Sequence, residues 1–264
     1  KCGNCGTPQT PTVVTPNRSD YTRQKLPPPR VASGSDTSSP KGIHTVIDKR
    51  RHPFLDRLYL RYLDDEESAG FIEAVSKHYA ISTLERLARC GQYLSRRGAI
   101  LALGYLGSFD SSPTLAHALR DSDRVVRILA ENGIFDLWCR DGNDNQRQQM
   151  RIVVRLNDTH QFDDAHAVAS QLIDEAPQFA EAWNQRAIAS YRLGHFEDAA
   201  NDCQQTLELN PFHFASAVGM ANCYLELGEG LAALDCFRRA FDLNPNLDSI
   251  RGQIEYLERA LEET

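Results

Sequence analysis

The sequence predicts an all-α fold, an α-α superhelix of stacked helical hairpins with a disordered N-terminal arm. Three observations lead to this prediction. Several residue types recur every 34 positions in the C-terminal half, apolar side chains recur at three-and-four spacing between them, and glycine and proline separate these stretches. In a chain of 264 residues, this period favours a linear stack of small units over one or two domains with separate cores.

Residues 1–42 are predicted to form the disordered arm. Eight of the 12 prolines lie within the first 53 residues, and the segment is rich in Ser and Thr with few large aliphatic residues. Such a composition cannot bury enough apolar surface to offset the entropy of the chain. The three prolines at 27–29 could be a polyproline II ligand or a stiff spacer.

A Cys-x-x-Cys pair, Cys2 and Cys5, stands at the start of the arm. This spacing can aim two thiolates at one metal, but a structural zinc site needs four ligands. The pair resembles one knuckle of a zinc ribbon, which implies zinc only if a second pair precedes Lys1. The missing initiator Met agrees with a fragment of a longer protein. Plain thiols, or a site completed by His44 and His52, are the alternatives, and no other cofactor is expected.

Residues 43–142 carry a weak repeat. Residues 95–107 align with residues 126–134 at an offset of 31, which pairs Arg96 with Arg127 and Ala99 with Ala130. Pro113, between the two stretches, is expected in the first turn of a helix, where proline costs no hydrogen bond. The segment resembles the short HEAT repeats, which implies helical hairpins. Residues 69–78 and 82–89 are predicted to form an earlier hairpin of this kind.

The 34-residue period runs through residues 143–264. Residues that recur at this step are Phe162 and Phe196; Ala165, Ala199 and Ala233; Gly194 and Gly228; and Pro177, Pro211 and Pro245. In the middle unit, Trp183, Ala187 and Tyr191 are spaced by four and therefore share one helical face. Gly194 is expected to end this helix, and Pro211 is expected to end the next one.

These residues resemble the tetratricopeptide repeat (TPR) family, in which each 34-residue unit is a helical hairpin. The resemblance covers about 120 residues and implies three units followed by a capping helix that begins at Asp248. The first unit departs from the pattern at His160, where the turn glycine is expected. The third unit has Gly230 in place of the aromatic residue.

The resemblance also implies a concave groove, formed mainly by the first helix of each hairpin. The residues projected onto it are Arg147, Met150, Val154, Glu181, Asn184, Ile188, Tyr191, Val218, Asn222 and Leu225. The middle of this set is apolar, and it either receives a partner or packs against neighbouring helices. The Lys/Arg/Asn set with which some TPR domains hold a terminal carboxylate is absent.

Charge is divided unevenly along the chain. Residues 1–62 carry 11 Lys and Arg against 4 Asp and Glu, whereas residues 63–264 carry 18 against 32. The body therefore lacks the basic face expected for binding nucleic acid. Residues 143–264 carry 9 basic and 20 acidic residues, which predicts a basic or amphipathic segment of a protein as the partner.

No catalytic motif is present. The sequence contains no Gly-x-Ser-x-Gly, no phosphate-binding glycine loop and no His-Glu-x-x-His, and its eight histidines are scattered. The acidic run at residues 64–67 is interpreted as the solvated end of a helix rather than a cation site. The chain is therefore predicted not to be an enzyme.

The predicted function is a non-enzymatic scaffold for protein-protein interaction. Five of the seven cysteines lie in apolar helical patterns, which favours a reducing compartment and a cytoplasmic location. No stretch is apolar over the length needed to span a membrane. The alternatives are a regulatory or targeting segment of a larger multidomain enzyme, an adaptor whose basic arm contacts nucleic acid, and an arm that occludes the groove of its own array.

Overall fold

A computed structural model describes residues 53–262. Within this range the chain forms thirteen α-helices and one short 3₁₀ turn, so the predicted all-α class is confirmed. The helices are α1 (Phe54–Asp65), α2 (Ser68–His78), α3 (Ile81–Cys90), α4 (Tyr93–Leu106), α5 (Ser112–Ala118), α6 (Arg124–Trp138), α7 (Asp144–Asp158), α8 (Phe162–Glu175), α9 (Ala180–Arg192), α10 (Phe196–Leu209), α11 (Phe214–Glu226), α12 (Gly230–Leu243) and α13 (Asp248–Glu262). The predicted arm of residues 1–42 and its Cys2–Cys5 knuckle lie outside the described residues.

Helices α7 to α12 form three successive hairpins. Each first helix packs against the following second helix, and each hairpin packs against the next one. Ala165, Ala199 and Ala233, which share one position of the 34-residue period, are fully buried where the helices meet. A side chain this small allows the two helix backbones to approach closely. Helix α13, at the position of the predicted capping helix, packs on α12, and its side chains Ile250 and Leu257 are buried.

Each of the three hairpins turns through one residue in the left-handed backbone conformation. The φ angle is 62° at His160, 84° at Gly194 and 78° at Gly228. Glycine adopts this conformation without steric cost, whereas a residue with a Cβ does so at about 1–2 kcal/mol. His160 therefore makes the same turn as the two glycines but with local strain.

The N-terminal helices differ from the predicted pairing. Residues 69–78 and 82–89 are helical, but α3 packs against α4 rather than against α2, so the predicted hairpin is wrong. The reason lies in the linker: Tyr79 and Ala80 are both extended, and the chain continues without turning back. Helices α1 and α2 pack instead against each other and against α4.

Helices α4 and α6 approach closely at two glycines. A Cβ added to Gly133 would lie 3.0 Å from the Cα of Gly104. Helix α5 packs against α6, and Pro113 lies in its first turn, as predicted. The weak repeat of residues 95–107 and 126–134 thus corresponds to two stacked helices, α4 and α6.

Helix α6 connects the N-terminal helices to the three hairpins. Arg127 Nε donates to Asn246 Oδ1 over 2.9 Å, and Asn246 Nδ2 donates to the carbonyl oxygen of Leu119 over 3.2 Å. Asn244 Nδ2 donates to Glu131 Oε1 over 3.1 Å. One continuous cluster of buried apolar side chains extends across both halves. The predicted domain boundary between residues 142 and 143 separates two sequence patterns. Contacts between buried apolar side chains cross this boundary.

Candidate functional site

A narrow groove of about 80 Å³ runs along the inner faces of α7, α9 and α11. These are the first helices of the three hairpins, the surface that the sequence analysis projected as concave. Six of the ten projected residues line the groove: Val154, Glu181, Asn184, Ile188, Tyr191 and Asn222.

The other four projected residues lie elsewhere. Met150 is buried in a cluster with Val154 and the second-helix residue Leu172, and Val218 is buried in the core cluster that also contains the N-terminal helices. Of the two alternatives given for the apolar residues, these two side chains follow the second, because both pack against neighbouring helices. Arg147 donates to the carbonyl oxygen of Gly142 at the start of α7, and Leu225 packs at the edge of the core.

Several lining residues were missed by the sequence analysis. Phe135 of α6 and Cys139, the residue that follows this helix, line the groove from outside the 34-residue repeats. No local pattern could have identified them, because they depend on where α6 docks. Asn157 follows Val154 by three residues on the same helical face, so the spacing that selected Val154 could also have selected Asn157.

A buried carboxylate lies at one end of the groove. Glu181 is 3% exposed and accepts three hydrogen bonds, from His213 Nε2 at 2.8 Å, Asn184 Nδ2 at 3.0 Å and Gln185 Nε2 at 2.7 Å. The other ring nitrogen of His213, Nδ1, accepts the backbone N–H of Ser216 at 3.0 Å. This network assigns the ring proton to Nε2, which donates it toward Glu181. The carboxylate is therefore satisfied by neighbouring groups of the chain.

Amide side chains extend this network across the groove. Asn157 Nδ2 donates to the carbonyl oxygen and to Oε1 of Gln185, both at 2.9 Å. Ser216 Oγ donates to Asn184 Oδ1 at 2.7 Å. The bonds connect α7 to α9 and α9 to α11, so the polar side chains of the groove are held in fixed orientations. Among the described residues, no donor reaches the buried Oδ1 of Asn157.

Helix α6 closes the groove at this end. Trp138 is fully buried and stacks on His213, and Phe135 meets Phe214 edge to face with ring centroids 5.5 Å apart. The aromatic contacts place the end of α6 against the start of α11. Part of the concave surface is therefore covered by the chain itself.

Tyr191 lines the groove near the C-terminal end of α9. Its Oη donates to Glu226 Oε1 at 3.2 Å, which connects the ends of α9 and α11. Burial, followed by the charge of Glu226, raises the pKa of Tyr191, so the phenol stays protonated and continues to donate. Its ring also packs edge to face on Phe196, with centroids 5.3 Å apart.

Two buried thiols lie beneath the groove. The hydrogen bond with Cys223, and then burial, raise the pKa of Cys203 well above its ordinary value. A thiol in this state has little thiolate, which is the reactive form. In residues 53–262, no three His, Cys, Asp or Glu side chains come together as a metal site would require. The same range contains no helix that is both long and apolar enough to span a bilayer.

Comparison with known proteins finds a similarity in the C-terminal half of the chain. Residues 180–213 match the family model of the tetratricopeptide repeat. A TPR repeat-containing protein of Rhizobium etli is 26% identical over 146 residues, which is 54% of this chain and 69% of that protein. Human DnaJ homolog subfamily C member 7 is 30% identical over 83 residues, and the match spans 31% of this chain but 17% of that protein.

Two solved structures resemble the chain at low sequence identity. The first TPR of Spaghetti (RPAP3), bound to an HSP90 peptide, is 19% identical with a TM-score of 0.44, covering 46% of this chain and 96% of that one. The TPR2AB domain of yeast Sti1, in its pHSP90 complex, is 15% identical with a TM-score of 0.40, covering 77% of this chain and 96% of that one. The family match and the named repeat protein thus show that this chain is similar to tetratricopeptide repeat proteins, with the family match at residues 180–213.

Proposed function

We propose that this chain is a non-enzymatic interaction scaffold whose groove binds a peptide or helix of a partner protein. The observation that carries the proposal is the groove between α7, α9 and α11, which combines apolar walls with amide side chains in fixed orientations. Peptide-binding sites recognise side chains with apolar pockets and recognise the backbone with a few well-placed polar groups.

The hydrogen bonds of the groove support binding rather than catalysis. Both ring nitrogens of His213 are engaged, one by Glu181 and the other by the amide of Ser216. A general base needs a free acceptor within reach of the substrate proton. The arrangement instead resembles a structural network that fixes the start of α11.

The partner segment is proposed to be basic or amphipathic. The acidic balance of residues 143–264 favours a basic segment, and the apolar lining at Val154 and Ile188 favours an amphipathic one. We place this function in the cytoplasm, since Cys203 and Cys223 occupy apolar helical positions that suit free thiols.

Affinity capture with a matched pair of variants tests the proposal. Ile188→Ser removes an apolar wall of the groove, and Ile152→Ser makes the same change at an exposed position outside it. Partners that bind in the groove should be lost with Ile188→Ser and retained with Ile152→Ser. If Ile188→Ser melts at the wild-type temperature and still captures every partner that the wild type captures, the proposal fails.

A further inference from the structure

The acidic charge of the first two hairpins lies on their second helices. Helices α8 and α10 each carry four Asp and Glu residues and no Lys or Arg. The first helices α7, α9 and α11 together carry four Asp and Glu residues and five Lys and Arg residues. All of the acidic side chains of α8 and α10 except Asp202 are exposed. The charge that favours a basic partner therefore belongs to α8 and α10 rather than to the helices that line the groove.

A polar cleft of about 370 Å³, here called the outer cleft, lies between α8 and α10. Helix α8 contributes His166, and α9 contributes Trp183, Arg186 and Ser190. Ser190 follows the groove residue Glu181 by nine residues, which is about two and a half helical turns. The outer cleft and the groove therefore lie on opposite sides of α9 and are separate surfaces.

One guanidinium and three carboxylates meet at the outer cleft. Arg186 Nε and Nη2 donate to the two oxygens of Asp202 at 2.8 Å and 2.7 Å, and Nη1 donates to Ser170 Oγ at 3.3 Å. The hydrogen bonds with Asp202 raise the pKa of Arg186 in spite of its burial, and the charges of Asp174 and Asp198 act in the same direction. The Arg186–Asp202 pair is balanced, so the remaining two carboxylates give the outer cleft an excess of negative charge.

Other polar groups that line the outer cleft have no partner. Within residues 53–262, the Asp198 carboxylate accepts no hydrogen bond, and the side-chain amides of Asn201 and Gln205 make none. Ser190 is completely buried, and no group in the same range bonds to its Oγ. A buried hydroxyl without a partner costs free energy, and a donor that enters the cleft and bonds to it removes this cost.

We propose that the outer cleft is a second binding surface, which takes one lysine or arginine side chain from a basic segment of a partner protein. The cationic group donates to the Asp198 carboxylate and to Ser190 Oγ, while the exposed acidic side chains of α8 and α10 attract the flanking basic residues. Because this surface is separate from the groove, the inference does not depend on the proposed function of the groove.

The experiment is a selection of random 12-residue peptides displayed on phage, with the full chain as the target. Peptides are kept if they lose binding to Asp198→Asn and retain binding to Glu197→Gln. The second variant removes the neighbouring exposed charge, which lies outside the outer cleft, and is therefore the matched control. The kept peptides are synthesised, and fluorescence anisotropy measures their affinity for the wild type, Ser190→Ala and Ile188→Ser at low and high salt. Thermal melts check that each variant is folded.

We expect the kept peptides to share one Lys or Arg, whose replacement by neutral acetyl-lysine or citrulline weakens binding about tenfold or more. Asp198→Asn should weaken binding about fivefold to tenfold, and Ser190→Ala, which changes no charge, should weaken it about threefold. Ile188→Ser and Glu197→Gln should change the affinity by less than about twofold, since neither residue touches the ligand. High salt should weaken binding at least about threefold, because it screens the attraction between exposed charges.

Two results would show that the outer cleft is not a site. If no peptide distinguishes Asp198→Asn from Glu197→Gln, or if Ser190→Ala binds every kept peptide as the wild type does, the attraction to α8 and α10 is non-specific and the inference fails. If the kept peptides are also lost with Ile188→Ser, they bind in the groove, so the inference fails while the proposed function is supported.

A third result would replace the partner by the chain itself. Four of the five lysines lie in residues 1–49, so carbodiimide, which couples a carboxylate to a lysine amine in contact with it, reports whether that segment occupies the outer cleft. A cross-link from Asp198 to Lys41 or Lys49 in the free chain, lost at high salt, would show that the occupant is not a partner protein. Coupling of Asp198 to a lysine of an added peptide instead supports the inference.

Discussion

The ring of Trp138 stacks on the ring of His213 with their centroids 3.9 Å apart and an angle of 24° between their planes. Trp138 is the last residue of α6, and His213 caps the start of α11 with its Nδ1. The same histidine bonds to Glu181 on α9. A single pair of rings thus connects the N-terminal helices to two hairpins of the array and fixes one end of the groove.

Truncation of Trp138 should be costly, whereas its replacement by phenylalanine should be tolerated. Trp138→Ala removes a fully buried ring and is expected to lower the free energy of unfolding by about 3–5 kcal/mol. Trp138→Phe keeps most of the contact area and also removes a buried Nε1–H that has no acceptor among the described residues. Urea unfolding of the full chain measures the free energy of unfolding of both variants. Equal losses for the two variants would contradict the importance assigned to ring packing.

His160→Gly should stabilise the first hairpin. The backbone there has a φ of 62°, so glycine removes the left-handed strain, although it also increases the entropy of the unfolded chain. The expected net gain in unfolding free energy is about 0.5–1 kcal/mol. Gly194→Ala is the matched control, since an added Cβ meets nothing within 4 Å and strain alone should destabilise it. A loss of stability in His160→Gly would show that its ring contact with Phe162 outweighs the strain.

Glu131→Gln should raise stability at neutral pH. Burial raises the pKa of Glu131 above its ordinary value, so folding favours the protonated form. This contribution is fully present below the unfolded-state pKa and is lost as pH rises through the folded-state pKa. Glutamine keeps an oxygen that can accept from Asn244 but cannot ionise.

The difference between Glu131→Gln and the wild type should therefore grow from about pH 4 to pH 8. Unfolding measured at several pH values checks this dependence. Glu73→Gln is the control. The hydrogen bond from Lys77 lowers the pKa of that exposed carboxyl, so the pKa shift has the opposite sign to that of Glu131. A stability difference between Glu131→Gln and the wild type that stays constant across this pH range would contradict the raised pKa of Glu131.

Two glycine-to-alanine substitutions should have opposite effects. In Gly133→Ala the new Cβ would lie 3.0 Å from Gly104 Cα and 3.2 Å from Leu115 Cδ2, so α4 and α6 must separate, at an expected cost of about 1–3 kcal/mol. In Gly70→Ala the Cβ meets nothing within 4 Å, and the better helix former should add about 0.5–1 kcal/mol. Thermal melts of the two variants, compared with the wild type, test the close approach directly.

Local patterns predicted the hairpins well because each unit mainly contacts its neighbours. The spacing of Trp183, Ala187 and Tyr191 predicted a helix, which is observed as Ala180–Arg192. Gly194 lies in the turn that follows this helix, as predicted. The inner face of that helix also located Ile188 in the groove. The residues that make such contacts are close together in sequence, so a pattern that repeats every 34 residues can predict them.

The rest of the site depends on contacts that are distant in sequence. Arg127 and Asn246 are 119 residues apart, and no periodic pattern indicates that they meet. The position of α6 decides that Phe135 lines the groove, while Val218 belongs to the core cluster shared with the N-terminal helices. The pairing of α3 with α4 likewise depended on the extended backbone at Tyr79, which apolar spacing does not predict.

Repeat proteins commonly evolve by gaining or losing whole units, but the contacts of α6 restrict this chain. Trp138 and Arg127 reach the loops that follow the second and third hairpins, at His213 and Asn246, at the same time. One additional 34-residue unit between these loops would carry Asn246 out of reach while leaving His213 in place. The contacts of α6 therefore hold the spacing between these two loops at one hairpin.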